Sequence, residues 1–197
     1  MRKILLAAWL ALPVGTWAYH EGPGQDRLRL DEAGAHLRAA HAATASEDWA
    51  ASIVAYEAAL KLLPAERREE GRRARLELDK ARMLAKQLPV AHADLAELVR
   101  ELAEDPKADS GMLAEARSAL ANSQYYMTWL MRLEGQPAEK WEPEVEAARQ
   151  TYRLLAEQAA ARGDKAALAQ NEKDLESAVR LARMELKDLQ GLPLPSQ

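Results

Sequence analysis

The chain has 197 residues, 48% of them hydrophobic, enough for one domain with a continuous core; only 5% are aromatic and phenylalanine is absent, so alanine and leucine carry the packing. Twenty-seven basic residues stand against 31 acidic ones, which argues against a nucleic-acid binder with its strong positive excess. There is no cysteine, so disulfides, thiolate catalysis and thiolate metal sites are excluded.

The N-terminus reads as an address. Arg2 and Lys3 precede an apolar run from Ile4 to Leu12, broken by Pro13 and Gly15. Thr16-Trp17-Ala18 then sets small residues at the first and third positions of a cut site. This is the layout of a secretory signal peptide over residues 1–18, the run being shorter than the about 20 residues of a membrane span. An uncleaved anchor is the other reading. Cleavage leaves 25 basic residues against 31 acidic ones. An exported, cysteine-free chain points to the periplasm or extracellular side of a bacterial envelope. Residues 19–25 follow as a flexible leader, where His20 beside the new amine offers a copper-binding alternative.

Downstream, residues 26–190 read as an all-α domain, without the period-two alternation of a half-buried strand. The first predicted helix covers residues 25–45. Ser46 is expected to cap the second, which Pro64 ends. The third covers residues 65–87, and Pro89 starts the fourth. Ser110 is expected to cap the fifth, Gly135 to end it and Pro143 to open the sixth. Gly163 closes the sixth, Asp164 caps the seventh, and residues 191–197 form an extended tail. Short links force antiparallel neighbours, compatible with a bundle or a stacked solenoid. The seventh helix carries the stripe Leu168, Leu175, Val179, Ala182, Leu186 and Leu189, suited to an end cap or to a homodimer seam.

The second helix carries Trp49, Ser52, Tyr56 and Ala59 on one face, then Pro64. Tiny residues between rings let neighbouring helices approach closely. This stretch resembles the second helix of a tetratricopeptide repeat (TPR) unit. Ala40 falls on the family's close-packing small position in the first helix, while His36 stands where Trp is favoured. The spacing recurs at Val145, Ala148, Tyr152 and Leu155, with Ala121 on the partner helix. The middle pair fits at Ala81 and Pro106, but Asp94 and Glu101 stand where small residues are expected. The resemblance implies a TPR-like helical hairpin solenoid of about three helix pairs with a C-terminal capping helix.

It also implies a groove lined by the first helix of each pair, binding a partner protein or peptide. Mapped here, the groove positions are Leu37, His41, Arg75, Arg82, Lys86, Asn122, Tyr125 and Tyr126. The cations would receive an acidic or carboxylate-bearing segment, with the tyrosines as anchors; a charged solvent face is the bland reading. No phosphate-binding Gly-rich loop or Gly-x-Ser-x-Gly elbow is present, and no cofactor is expected. His36 and His41 stand five apart, off the spacing for one metal. An enzyme acting on envelope glycans would use Glu134 or Glu142 near Trp129 and Trp141.

Overall fold

The computed structural model describes residues 25–190. The expected signal peptide, His20 and the 191–197 tail lie outside the described residues. Those described form eight helices and no strand: α1 Gln25–Ala45, α2 Trp49–Leu62, α3 Arg68–Leu84, α4 Leu88–Glu104, α5 Ser110–Leu133, α6 Ala138–Arg162, α7 Lys165–Arg183 and α8 Leu186–Gln190. Helix α1 packs on α2, α4 on α5, α5 on α6 and α6 on α7, and α8 returns onto α5. This is the expected all-α class: helices in consecutive pairs, ended by a short C-terminal helix. The chain divides into two compact units, one through Ala74 and one from Arg75.

In the first unit, α1 and α2 meet through very small side chains. Ala33 and Ala40 of α1 are fully buried, as are Ser52 and Ala59 of α2, and Tyr56 is the large side chain buried with them. Trp49 is half-buried. The turn uses Glu47 in the left-handed region at φ 58°. Asp48 caps α2, accepting the Ala51 N–H at 3.0 Å. The expected cap, Ser46, stands too early for that role. It donates back to the carbonyls of Ala42 and Ala43 and finishes α1 instead.

The second unit is built on leucine. Leu76, Leu88, Leu95, Leu98 and Leu102 share one cluster with Met112 and Ala116. A second cluster joins Ala121, Val145, Ala148 and Tyr152 to Ala178 of α7, so the recurring spacing in α6 is a buried face. Three expected boundaries shift. Asp109, not Ser110, caps α5 by accepting the Met112 N–H at 2.6 Å. Pro143 lies inside α6, because Pro137 already stands as its N-cap; the cost is one main-chain bond to the Glu139 carbonyl. The last predicted helix is two pieces, α7 and α8. Its deepest side chains are Ala178, Leu181 and Leu189, while Leu186 of the expected stripe is 41% exposed. Arg132 holds that break: its guanidinium donates to the carbonyls of Leu181 and Met184 and lies 4.6 Å from the Trp141 ring centre. Burial pulls the Arg132 pKa down. Gly135 and Gly163, at φ 70° and 71°, end α5 and α6 where left-handed residues were expected.

Candidate functional site

Two elements build one candidate, a cavity of about 440 Å³ between α3 and α5. From α3 come Lys80, Met83 and Leu84, at steps of three and one, which keep them on one side of the helix. From α5 come Glu115, Ser118, Ala119, Asn122 and Tyr126. Met83, Leu84 and Ala119 give an apolar floor. Lys80 crosses it, pairing with Glu115 on α5 and with Glu77 of its own helix at 3.0 Å.

The other end of the cavity is polar but uncharged. Tyr152, buried on α6, donates its hydroxyl to Asn122 Oδ1 at 2.7 Å. That bond occupies the amide oxygen, and the amide nitrogen carries two further N–H donors suited to a carbonyl. Burial raises the Tyr126 phenol pKa, and the Asp174 charge adds to it, so the hydroxyl stays protonated. Burial raises the Tyr152 pKa as well, with Asp174 a second cause. The cavity therefore offers an apolar floor, an ion pair at one end and hydrogen-bond donors at the other. That combination can place a carbonyl on the donors and an apolar group on the floor.

The sequence-derived groove positions divide. Asn122 and Tyr126 line the cavity. Tyr125, its neighbour on α5, instead packs near Trp129, ring centres 6.4 Å apart, and against the buried Leu181 and Leu189 cluster. Arg75 pairs with Glu101 at 2.6 Å and Arg82 with Asp94 at 2.6 Å, both across to α4. Lys86 is exposed in the turn after α3, at φ 63°. Leu37 is half-buried and His41 exposed in the first unit, the His41 ring edge-on to Tyr56 at 5.9 Å. Sequence reasoning missed Lys80, Met83 and Leu84, whose shared face was visible as a spacing but not as a direction.

His92 sits 3.0 Å from the Ser123 hydroxyl and 3.6 Å from Glu144, the outline of a serine–histidine–acid relay. Ser123 is fully buried, however, and donates to the Leu120 carbonyl at 2.7 Å, so no substrate reaches it. Glu142 borders a second cleft, of about 500 Å³, with Trp141 and Arg149. Glu134 is the exposed residue that ends α5. Trp129 is buried, and Arg132 covers one face of Trp141, whose ring also borders the second cleft. Among the described residues no cluster of three or more His, Asp or Glu is placed to hold a metal, and no helix is long and apolar enough to cross a membrane. Comparison with family models, curated proteins and solved structures gives no match to this chain.

Proposed function

We propose that the protein is a non-catalytic binding module. It holds a segment of a partner protein in the cavity between α3 and α5, as a TPR-like scaffold exported to the bacterial envelope. The observation that carries this reading is Asn122, whose carbonyl is tied to Tyr152 at 2.7 Å while the residue lines an apolar-floored cavity. Donors fixed in advance lose little freedom when a peptide carbonyl arrives, which raises affinity at no cost to the fold. Export fits the positive start, short apolar run and small-residue cut site of residues 1–18.

Ser118→Trp tests it, because Ser118 is half-buried at the cavity wall and an indole there fills the space. In affinity capture from envelope extract, a partner retained by the wild-type chain should be lost with Ser118→Trp and weakened about tenfold by Asn122→Ala, the loss of about 1.4 kcal/mol. His41→Ala should leave capture unchanged. Retention of the same partner by a folded Ser118→Trp chain would remove the cavity from the account.

A further inference from the structure

We propose that Asp79, Arg82 and Asp94 form a proton-operated lock between α3 and α4, closed while Asp79 is neutral and loosened when it ionises. The Arg82 guanidinium reaches Asp79 at 3.0 Å on its own helix and Asp94 at 2.6 Å on α4. Two carboxylates thus lean on one cation. Their surroundings are unequal: Asp79 is 1% exposed, whereas the Asp94 side chain is 44% exposed. Water supports a charge on Asp94 and not on Asp79, so the proton belongs on Asp79.

The other charges facing the group do not reverse this. Arg75, also on α3, attracts Asp79 but is paired with Glu101 of α4. On α5 the acid that meets α3 is Glu115, and it pairs with Lys80. Burial first, then the Asp94 charge, push the Asp79 carboxyl up to about 7, against the pull of Arg82 and Arg75. A raised carboxyl contributes stability that is complete below its ordinary value of 3.8 and is lost as pH rises through about 7. Above that, Asp79 ionises in a dry site and competes with Asp94 for Arg82, and the α3–α4 pairing weakens. The lock does not depend on what the cavity binds.

Two measurements on the full chain test it. The carboxyl carbon of Asp79, followed by NMR, should titrate near pH 7, and Asp94→Asn should lower that midpoint. A midpoint in the ordinary range near 3.8, or one unmoved by Asp94→Asn, overturns the proposal. The melting temperature of Asp79→Asn relative to wild type should rise between pH 5 and pH 8, because the amide cannot ionise. A difference independent of pH also overturns it. If Asp79→Asn does not fold, the wild-type titration decides alone.

Discussion

The α1–α2 hairpin and the leucine cluster of the second unit solve the same problem with opposite materials. In the hairpin, the fully buried side chains of α1 are two alanines, and α2 answers with Ser52 and Ala59 around Tyr56. In the second unit, Leu88, Leu95, Leu98 and Leu102 line α4 at helical spacing and fill the space with bulk. The first gains stability from close approach of two backbones, the second from apolar volume removed from water. The two should therefore fail in opposite ways.

The largest expected effect is a cavity in the leucine cluster. Leu98→Ala removes a fully buried side chain and should cost about 3 kcal/mol in urea unfolding. Leu98→Met keeps the volume and should cost less than about 1.5 kcal/mol. In the hairpin the damaging change is addition. Ala40→Leu forces methyl groups into a contact with no room and should cost about 2 kcal/mol. Ala39→Leu, one residue earlier and exposed, should fall within about 0.5 kcal/mol of wild type. Equal costs at positions 39 and 40 would mean that close approach is not what holds the hairpin.

The same contrast sets how far the sequence could be read. Ala40, Ser52, Tyr56 and Ala59 stood out because small residues beside a ring have few explanations on a helix, and all four are buried. Tyr152 and Ala148 were legible for the same reason. The middle pair was not. Asp94 and Glu101 looked like failures of the small-residue pattern, while Arg75 and Arg82 looked like cations turned toward a ligand. The structure resolves both at once, since each acid takes one of the arginines. Helical period groups residues on a face but leaves unknown which neighbour that face meets. Lys80, which does line the cavity, stands two residues from Arg82, about 200° around the helix. Boundaries were blurred by adjacent signals of equal strength: Ser46 beside Asp48, Asp109 beside Ser110, and Pro137 ahead of Pro143.

A smaller loss than those at Leu98 and Ala40 probes what serine adds at a position where alanine would also fit. Thr44 donates its hydroxyl to the Ala40 carbonyl at 2.9 Å, so in the 2.7 Å contact between Thr44 and Ser52 the serine is the donor. Ser52 is fully buried, and its hydroxyl is matched by a single oxygen across the hairpin. Ser52→Ala removes donor and acceptor needs together and leaves Thr44 with its bond to Ala40. The cost should be about 1 kcal/mol, that of one ordinary hydrogen bond. Thr44→Val instead strands the Ser52 hydroxyl in a dry site and should cost more than Ser52→Ala. In the double variant no stranded group remains, so its cost should be less than the sum of the two. Strict additivity would mean that the two hydroxyls do not pair, leaving alanine contact alone to hold α1 on α2.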